Sequence, residues 1–589
     1  MNKQESDILL GLFKEPFTNQ RILSEQTGHS LGVVNRSVKN LIYEGYLNEF
    51  CQLTPKANDL INSKSPKNAI ILAAGFGMRM VPINTETPKG LLEVNGEPLI
   101  ERLISQLHEV GIHEIYVVVG FMKEVFEYLI DAYDVELVVN ESYAEKNNIS
   151  SLVLVSDKIS NTYIIPCDVW CNYNPFRKYE MYSWYMVSDL VDNLSDVRVN
   201  RKMELVRVDS NSGGNAMIGI SFISGDDATK VQDRISKLGV QERYYHSFWE
   251  ESLYEKDKMF TTARVVHSAD VIEINTYEQL RDLDSCSNQL KSDAIDVICQ
   301  SLHCKPSEIT NITVLKKGMT NRSFLFSCRG IKYIMRIPGE GTDMLIDRKK
   351  EADAYSAIAG RGICDNIVYI NPANGFKITE FIEGARLCNP TDISDIRKCM
   401  RFLRSFHEQG IKVNHIFDIF GQIEFYESLW NGKQSIYKDY SKTKENIFSL
   451  KEYIERHVEN MVLTHIDAVP DNFLFSDFSG EEAVYLIDWE YAGMQDPHVD
   501  IAMFCIYAMY DKRQVDRLIN IYFENNCPEV IRIKIYCYIA ACGLLWSNWC
   551  EYKRSFGVEF GEYSLRQYRY AKEYYKLVSA EMKKEEYHK

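Results

Sequence analysis

The central part of the chain is organised around the sequence Leu72-Ala73-Ala74-Gly75-Phe76-Gly77-Met78-Arg79. Its first residues continue a short apolar run that ends in glycine, which is typical of a buried strand entering a loop. Gly75 and Gly77 allow backbone N–H groups to approach a polyphosphate, and Arg79 can neutralise its charge. A strand-to-helix turn would explain the glycines alone, but Pro88-Lys89 follows just downstream. Together these residues predict a phosphate-binding loop.

The surrounding residues alternate between strand and helix patterns from Lys67 to about Leu283. The predicted order is strand 69–73, helix 98–110, strand 115–119, helix 123–133 and strand 136–139. This order predicts a doubly wound parallel α/β sheet that binds ligands at the carboxyl ends of its strands. Lys89 follows a turn from which it can bind phosphate. Asp168 follows a strand, where a metal-binding carboxylate is expected.

Residues 68 to 283 resemble the bacterial CTP:phosphocholine cytidylyltransferases, a branch of the sugar-nucleotide-type nucleotidyltransferases. Besides the motifs above, the resemblance is carried by Asn140, Asn147 to Leu152, Phe248 to Glu251 and Glu273 to Thr276. It implies in-line attack by a substrate phosphate on the α-phosphorus of CTP, with Lys89 and Arg79 as the catalytic cations. The implied nucleotide-binding residues are Leu72, Ala73, Ala74, Gly75 and Gly77.

The same resemblance implies a Mg²⁺ site and a choline site. Asp168 matches the metal-binding aspartate of the family. Asn275 matches a position that is often a second aspartate, and Glu273 is an alternative ligand. Choline selectivity is expected from cation–π contact with Trp249, with Glu250 as a counter-charge. Further aromatic candidates are Trp184, Tyr185 and Trp170. Core packing is the alternative for each ring.

A second set of motifs lies near the end of the chain, at His465-Ile466-Asp467, Asn472 and Ile487-Asp488-Trp489. Asp467 and Asn472 are spaced as in the catalytic loops of protein-kinase-like enzymes. Asp467 would accept the proton of a substrate hydroxyl, while Asn472 and Asp488 would hold Mg²⁺. His465 is predicted to support this loop rather than to act as a base, because Asp467 is better placed.

Residues 295 to about 580 resemble the choline/ethanolamine kinases and predict an α+β protein-kinase-like domain. The turn containing Thr320 and Asn321 would lie over the phosphates of ATP, and Glu380 and Ile382 belong to a hinge-like segment for adenine. Arg336 and Lys332 share one face of a strand, because strand side chains alternate. The resemblance assigns the phosphate contact and an ion pair with Glu351 to Arg336, with Lys332 as the alternative.

A choline pocket is also expected in this second domain. Trp546 and Trp549 are three residues apart and so share one helix face. Trp489, Glu490 and Asp500 could complete an aromatic and acidic pocket. The equal alternative for the two helical tryptophans is an aromatic stripe packed into the core. His407 is predicted to be a packing histidine.

Residues 1 to 62 resemble a winged-helix domain, with helices at 6–13, 19–27 and 31–44, wing strands at 45–47 and 51–54, and a closing helix at 55–61. The third helix offers only Arg36 and Lys39 as cations, and the segment carries six Lys/Arg against seven Asp/Glu. DNA-binding modules are usually basic, so a packing or regulatory role is predicted. Ser63 to Pro66 is the predicted linker, and the other predicted domains are 67–283 and 293–589.

The bulk composition fits a multidomain globular protein. The 589-residue chain is too long for one core, and it is 45% hydrophobic and 25% charged. We expect no membrane-spanning run and no signal peptide. The 15 cysteines include no Cys-x-x-Cys pair, which favours reduced thiols in the cytoplasm. A formal net charge of −16 argues against broad nucleic-acid binding. The sequence does not decide between a monomer and a homo-oligomer.

The leading hypothesis is a bifunctional enzyme that phosphorylates choline with ATP and then transfers CMP from CTP to phosphocholine. The two resemblances point independently to one shared intermediate. One alternative keeps both reactions but uses ethanolamine or a sugar. Another is a winged-helix regulator that senses nucleotides through decayed enzyme domains, although intact Lys89, Asp168, Asp467, Asn472 and Asp488 argue against decay.

Overall fold

The computed structural model describes most of the chain. It leaves out residues 76–79, 81, 84–86, 194, 209–212, 316–320, 339–344, 431, 479–480, 555–559 and 588–589. For residues 321, 322, 477, 478, 481 and 583–587 only the backbone is described. The chain forms two compact units, Met1–Asp296 and Val297–Lys589. Each unit is described by itself.

The first unit begins with a four-helix segment, here called the N-terminal module (residues 3–64). Its helices are α1 (Lys3–Lys14), α2 (Gln20–Thr27), α3 (Leu31–Tyr43) and α4 (Pro55–Lys64), which confirms the predicted helices. In place of the two predicted wing strands there is one antiparallel bridge, between Leu47 and Leu53. The residues between them form a turn, in which the side chain of Asn48 accepts hydrogen bonds from the backbone N–H groups of Phe50 and Gln52.

The rest of the first unit is an α/β domain. Its helices are α5 (Leu99–Glu109), α6 (Tyr128–Tyr133), α7 (Ile149–Val153), α8 (Gly225–Gly239) and α9 (Tyr277–Leu283). Its strands are β1 (Asn68–Ala73), β2 (Glu93–Val94), β3 (Glu97–Pro98), β4 (Glu114–Val119), β5 (Glu136–Val139), β6 (Thr162–Pro166), β7 (Val169–Cys171), β8 (Trp184–Asp192), β9 (Val197–Val199), β10 (Glu204–Arg207), β11 (Gly214–Ile223), β12 (Tyr254–Glu255), β13 (Lys258–Val266) and β14 (Val271–Glu273).

The main sheet of this domain is mixed rather than wholly parallel. Its order is β5-β4-β1-β6-β11-β8-β13-β10-β9, with β12 beside β13. The first four strands are parallel, as predicted, but β11 runs antiparallel to both β6 and β8. The prediction of an all-parallel sheet is therefore wrong. The chain between β8 and β11 forms β9 and β10 instead of the helical crossover that a parallel pair requires.

Successive side chains of β1 point to opposite faces of the sheet, and both faces are buried. Ile71 packs against α5 on one face, and Ile70 packs with α7 and α8 on the other. Because β1 lies between β4 and β6, its carboxyl end opens at the middle of the parallel half of the sheet. This is the edge at which the sequence predicts the phosphate-binding loop.

The second unit starts with a five-stranded antiparallel sheet of order β15-β16-β17-β19-β18. The strands of this unit are β15 (Ile309–Val314), β16 (Asn321–Cys328), β17 (Ile331–Pro338), β18 (Ile367–Ile370), β19 (Lys377–Glu380), β20 (Arg386–Leu387), β21 (Val462–Thr464), β22 (Phe473–Phe478), β23 (Glu481–Leu486) and β24 (Gly493–Gln495). The predicted strand pair around residues 321–335 is confirmed by β16 and β17.

Helices make up most of the remaining second unit. After α10 (Asp293–Leu302), which spans the boundary between the units, they are α11 (Arg348–Ile358), α12 (Ile393–Glu408), α13 (Ile419–Ser428), α14 (Tyr440–Phe448), α15 (Lys451–His457), α16 (His498–Tyr507), α17 (Lys512–Tyr522), α18 (Glu529–Arg554) and α19 (Glu562–Tyr587). Helices α18 and α19 pack closely along their length. A Cβ atom at Gly543 would lie 2.7 Å from the carbonyl oxygen of Gln567. Glycine is required there by this close approach.

Within the described part of the chain, α18 is long and apolar enough to cross a membrane by length and composition. The prediction that no apolar run reaches that length is therefore wrong. However, 83% of the apolar window of α18 is buried inside the protein. Its inward-facing Lys534 donates to Asp496 at 2.6 Å, so even its charge is satisfied by the fold. We interpret α18 as the core helix of the second unit.

Candidate active sites

Three predicted residues of the first unit meet at one point. The ammonium nitrogen (Nζ) of Lys89 lies 2.8 Å from Oδ2 of Asp168 and 2.8 Å from Oδ1 of Asn275. Lys89 begins a short 3₁₀ turn directly after Pro88. The fold thus brings Lys89 within hydrogen-bond distance of residues that are 79 and 186 positions away in the chain. This arrangement supports the predicted phosphate and metal site.

Strand pairing fixes the position of Asp168 relative to Asn275. Strands β7 and β14 pair antiparallel, with Val169 opposite Glu273. One step further, the N–H of Ile274 donates to the carbonyl oxygen of Asp168 at 2.8 Å. The side chain of Gln279 then holds the N–H of Asn275 at 2.7 Å. The lysine–carboxylate–amide geometry supports Asn275 rather than Glu273 as the partner of Asp168.

The predicted nucleotide loop begins at the carboxyl end of β1. Leu72 and Ala73 belong to the strand, and the carbonyl oxygen of Ala74 accepts from the N–H of Phe121 at 3.1 Å. Gly75 follows, and among the described residues no atom lies within 4 Å of the point where its side chain would begin. Gly77 and Arg79 lie outside the described residues, so their roles stay predictions.

The predicted choline aromatics of the first unit are mostly core residues. Trp249 is 1% exposed and packs against Tyr185, with ring centroids 6.3 Å apart. The backbone N–H of Trp249 donates to Oδ1 of Asn148 at 2.8 Å. Asn148 belongs to one of the stretches that carry the resemblance. The ring of Trp249 is enclosed by the core, and its role in binding choline stays a prediction.

Two further candidate rings are covered by arginines. The guanidinium of Arg264 lies 3.5 Å from the ring centroid of Trp184, and that of Arg102 lies 4.1 Å from the ring of Trp170. A cation already occupies one face of each ring. These contacts favour core packing, the stated alternative, for Trp184 and Trp170.

Glu250 is the unusual acidic group next to these rings. The hydroxyl of Tyr185 donates to Oε1 of Glu250 at 2.9 Å, while Oε2 is buried without a hydrogen-bond partner among the described residues. Burial raises the pKa of Glu250 to about 7, with the hydrogen bond from Tyr185 acting in the opposite direction. A buried carboxylate with one unsatisfied oxygen is suited to a cationic group. Glu250 therefore remains a candidate counter-charge, and Tyr185, which is as fully buried as Trp249, contacts it directly.

Replacing Glu250 by glutamine is expected to remove a pH dependence of stability. The pKa of Glu250 rises from 4.5 to about 7 on folding, so the folded state keeps a proton that the unfolded chain releases. Its contribution to the free energy of unfolding falls as pH rises from 4.5, and about 3 kcal/mol is lost above about pH 7. Melting temperatures of Glu250→Gln and the wild type should diverge at about pH 8 and converge at about pH 4. An equal difference at both pH values would contradict this assignment.

The predicted catalytic residues of the second unit also converge. The side-chain nitrogen of Asn472 donates to the carbonyl oxygen of Asp467 at 2.9 Å and to its Oδ2 at 3.2 Å. Asp467, Asn472 and Asp488 line one cavity of about 410 Å³. Burial, followed by the nearby charge of Asp488, raises the pKa of Asp467 to about 7. A carboxyl with this pKa is matched to accepting a hydroxyl proton near neutral pH.

Asp500 holds the catalytic loop from behind and does not line this cavity. Its carboxylate accepts from the N–H of His465 at 3.1 Å and from the N–H of Ile466 at 2.8 Å. His407 lies 3.0 Å from the same carboxylate. Ile466 adopts a φ of +70°, a strained conformation for a β-branched residue. The prediction that Asp500 completes the choline pocket is wrong, because Asp500 is fully buried and fixes this backbone.

The two histidines behave as predicted. The ring nitrogen Nε2 of His465 lies 2.9 Å from the carbonyl oxygen of Ile487, which links the catalytic loop to the residue before Asp488. Burial lowers the pKa of His465, so the ring is neutral at physiological pH. His407 is buried between Asp500 and the hydroxyl of Tyr522. Both histidines position the loop and neither faces the cavity.

A buried ion cluster forms part of the cavity wall and is here called the Glu351 cluster: Glu351, Arg336, Arg348, Lys377 and Glu490. Arg336 makes a two-pronged ion pair with Glu351. Burial alone would raise the pKa of Glu351, but Lys377, Arg336 and Arg348 together lower it to about 2. The alternative cation, Lys332, instead pairs with Glu383 at 2.9 Å on the surface. The geometry supports Arg336 as the partner of Glu351.

The aromatic lining of the cavity differs in part from the prediction. Trp546 and Trp549 line it, as predicted, with ring centroids 5.6 Å apart. Trp489 does not line it, because its ring is wholly buried and its N–H donates to Leu486 at 2.7 Å. Glu490 reaches the cavity wall but faces Arg336 and Arg348. The rings missed by the sequence analysis are Tyr491, Tyr507 and Tyr563.

The remaining nucleotide contacts are only partly described. Glu380 ends β19, and its N–H donates to the carbonyl oxygen of Asn366 at 2.9 Å. The residue before Ile382 is Phe381, whose backbone N–H donates to the carbonyl oxygen of Lys332 at 2.9 Å. Asn321 is described through its backbone, paired with Pro338, and Thr320 lies outside the described residues. The ATP-binding roles of these four residues stay predictions.

Neither site contains a cluster of three His, Cys, Asp or Glu side chains suited to a metal ion, among the residues that the structure describes. Each site instead pairs carboxylate with amide oxygen: Asp168 with Asn275, and Asp467 and Asp488 with Asn472. Oxygen donors of this kind fit Mg²⁺, which usually retains water and takes further oxygens from phosphate. The donor chemistry of both sites therefore fits Mg²⁺ carried with a nucleotide.

Comparison with known proteins supports both enzyme domains. A family model for choline/ethanolamine kinase matches residues 312–540, and one for the MobA-like NTP transferase domain matches residues 69–172. A choline-phosphate cytidylyltransferase of Streptococcus pneumoniae is 34% identical over 221 residues, which is 37% of this chain and 96% of that protein. A 2-aminoethylphosphonate cytidylyltransferase of Lancefieldella rimae is 32% identical over 236 residues, or 37% and 92%.

Among solved structures, one of a choline kinase aligns with part of the chain. The choline kinase of Streptococcus pneumoniae aligns with a TM-score of 0.43 at 28% identity, covering 48% of this chain and 99% of that structure.

Proposed function

Because the chain belongs to the choline-phosphate cytidylyltransferase family through its central part, and carries a choline/ethanolamine kinase domain, we propose that it makes CDP-choline in two steps. The chain is an enzyme with both activities, a kinase and a nucleotidyltransferase. The observation that carries the proposal is the shared intermediate: one unit resembles an enzyme that would produce phosphocholine, and the other an enzyme that would consume it.

In the first step, the second unit phosphorylates choline with ATP. Asp467 accepts the hydroxyl proton of choline, which turns the oxygen into a nucleophile for the γ-phosphorus. Asn472 and Asp488 would hold Mg²⁺, which would neutralise charge on the phosphates. Arg336, fixed by Glu351, places a positive charge at the wall of the same cavity. ADP leaves and phosphocholine is formed.

In the second step, the first unit transfers CMP to phosphocholine. A phosphate oxygen of phosphocholine forms a bond to the α-phosphorus of CTP, and the bond to pyrophosphate breaks. Lys89 spreads the negative charge that develops on the transferred phosphate, and Arg79 is proposed to assist it. Asp168 and Asn275 would hold the Mg²⁺ of the nucleotide. A general base is not required, because a phosphate dianion is already a nucleophile.

Choline is favoured over ethanolamine or a sugar by the aromatic lining of the kinase cavity. Within the described part of the chain, five rings line it: Tyr491, Tyr507, Trp546, Trp549 and Tyr563. Aromatic faces attract a quaternary ammonium without hydrogen bonds, whereas a primary amine needs acceptors for its N–H groups. The second candidate substrate is a primary amine, because a cytidylyltransferase named for 2-aminoethylphosphonate is 32% identical to the first unit.

A mass-spectrometric assay of the purified protein tests the proposal. The full chain is incubated with Mg²⁺, ATP and CTP, and with choline, ethanolamine or 2-aminoethylphosphonate in separate reactions. CDP-choline that forms only when both nucleotides are present would support the two-step function. Conversion of 2-aminoethylphosphonate with CTP alone would show that the primary amine is the substrate of the first unit. No product from any of the three acceptors would contradict the proposal.

Replacing Asp500 by alanine is expected to lower the kinase turnover about 10- to 100-fold, because the strained loop that carries Asp467 loses its anchor. The KM for ATP should change little, since Asp500 does not line the cavity. Asp500→Asn retains one acceptor oxygen and should recover part of the rate. Steady-state kinetics of both variants check this. A large change of KM with an unchanged turnover would contradict the positioning role.

The N-terminal module is proposed to be winged-helix-like, with boundaries near residues 1–62, 67–283 and 293–589 for the three domains. We propose a packing or regulatory role for it, in keeping with its balance of charges. A cytoplasmic location is likewise proposed from the cysteine pattern of the sequence.

A further inference from the structure

A large cleft separates the N-terminal module from the sheet of the first unit, and nothing in the proposed reactions uses it. This cleft, here called the N-terminal cleft, has a volume of about 1300 Å³. One wall is formed by α1 and the turn after α2, and the other by residues 177–184, 201–203 and 262–265. Its volume exceeds the range of about 300–1,000 Å³ that is common for small-molecule sites, so it can admit a nucleotide-sized molecule.

The side chains of the cleft are predominantly cationic, although the protein has a formal net charge of −16. Six cations among the described residues line it: Lys3, Lys14, Arg177, Arg201, Lys202 and Arg264. The two acids that line it are already engaged. Asp7 accepts from the hydroxyl of Tyr182 at 2.7 Å and lies 2.9 Å from His29, and Glu15 accepts from Gln26.

Most of these cations have no acidic partner within the described residues. Arg264 is held by Glu180, with its Nη2 atom 2.9 Å from both carboxylate oxygens. The other five make no ion pair with a described carboxylate. Burial and the charge of Arg264 lower the pKa of Lys3, opposed by Asp7. Lys3 is therefore held where a further negative charge would be favourable.

Aromatic rings stand beside these charges. Tyr179 and Tyr182 are half-buried in the cleft wall. The Nζ atom of Lys3 lies 5.6 Å from the ring centroid of Tyr182, and that of Lys178 lies 5.6 Å from the ring centroid of Tyr179. A planar base would stack on the remaining ring faces, while the lysines and arginines offer partners for phosphate. Charge and rings together match one class of small molecule. We propose that the N-terminal cleft is an effector site for a nucleoside di- or triphosphate, distinct from both active sites.

The wall of the cleft is continuous with the proposed choline end of the transferase. The ring of Tyr179 packs on Phe13 of α1 at 4.7 Å, and Met181 is buried in the core of the N-terminal module. The chain then enters β8, where Tyr185 donates to Glu250. A ligand that draws the module toward this segment would act on the hydrogen bond to Glu250 through one short stretch of chain.

Hydrogen exchange of the full-length protein, followed by mass spectrometry, tests this site. CTP, ATP and CDP-choline are added separately, at concentrations that saturate both active sites. The readout is the backbone of α1, which carries no residue of either proposed active site. At ten times its Kd, a bound nucleotide is expected to slow amide exchange in α1 about tenfold. This applies to amides that exchange only when local unfolding of α1 disrupts the cleft. The nucleotide that gives protection identifies the source: a substrate or, if the proposed function holds, its product CDP-choline.

Charge-reversed variants complete the test. The double variant Lys14→Glu/Arg177→Glu should lose the protection of α1, while both proposed activities remain. The matched control is Lys39→Glu, which changes an exposed lysine of the N-terminal module outside the cleft lining and should keep the protection. Protection that is absent with all three nucleotides, or that persists in the double variant, would overturn the proposal. Neither result depends on turnover, so the two-step function is tested separately.

Discussion

Asp467→Asn is expected to lower choline phosphorylation by about 10²- to 10⁴-fold, the usual contribution of a general base. The substitution keeps the shape of the side chain but removes the atom that takes the hydroxyl proton. Cytidylyl transfer from supplied phosphocholine should be unchanged, because Asp467 belongs to the other unit. The measurement is the initial rate of each half-reaction with the purified variant.

The stability of the same variant provides the control. Burial raises the pKa of Asp467 to about 7, so the ionised carboxylate is unfavourable in the fold. Replacing it by a neutral amide should leave the melting temperature unchanged or raise it. Loss of kinase activity in a variant that melts at the wild-type temperature is therefore assigned to chemistry. Retention of the wild-type phosphorylation rate would remove Asp467 from its proposed role.

Lys89→Met is expected to produce the opposite separation of activities. It should lower cytidylyl transfer about 10²- to 10³-fold, as when one charge-stabilising donor is removed from a reacting oxyanion. The kinase reaction should persist, so that phosphocholine accumulates in the presence of choline, ATP and CTP. Quantifying phosphocholine and CDP-choline in one reaction measures both effects.

Lys123→Met is the matched control for this variant. Lys123 is a half-exposed lysine paired with Glu124 at 3.1 Å, and its loss removes the same charge elsewhere in the unit. Such surface pairs contribute about 0–1 kcal/mol, so this variant should behave like the wild type. Equal losses of transfer in both lysine variants would show that net charge, rather than the position of Lys89, is responsible.

The sequence was informative wherever local chemistry and position in the chain agree. Local motifs predict Lys89 and Asp168, whereas the family resemblance implies Asn275, with Glu273 as the alternative. Strand pairing brings Lys89, Asp168 and Asn275 together at a strand end. Arg336 and Glu351 were likewise paired correctly. In both cases, short motifs sit at strand or helix ends whose positions the regular structure determines.

Aromatic residues were harder to place, because burial in the core and contact with a ligand select the same side chains. Trp249 and Trp489 belong to cores, whereas Tyr507 and Tyr563 line the kinase cavity from distant helices. No local pattern distinguishes these cases. The mixed sheet was missed for a similar reason, since the antiparallel pairing of β11 depends on a long-range register that neighbouring residues do not encode.

The Glu351 cluster also limits how this protein can diverge. Three buried cations depend on one carboxylate, and Glu490 lies 3.6 Å and 3.8 Å from two of them. Removing one member leaves uncompensated charge in a site that water reaches poorly, a change that is strongly destabilising for buried pairs. Substitution of one cluster residue without loss of stability therefore requires a compensating substitution at a second cluster residue. We expect these five positions to vary among descendants as a block, while the surrounding apolar residues drift one at a time.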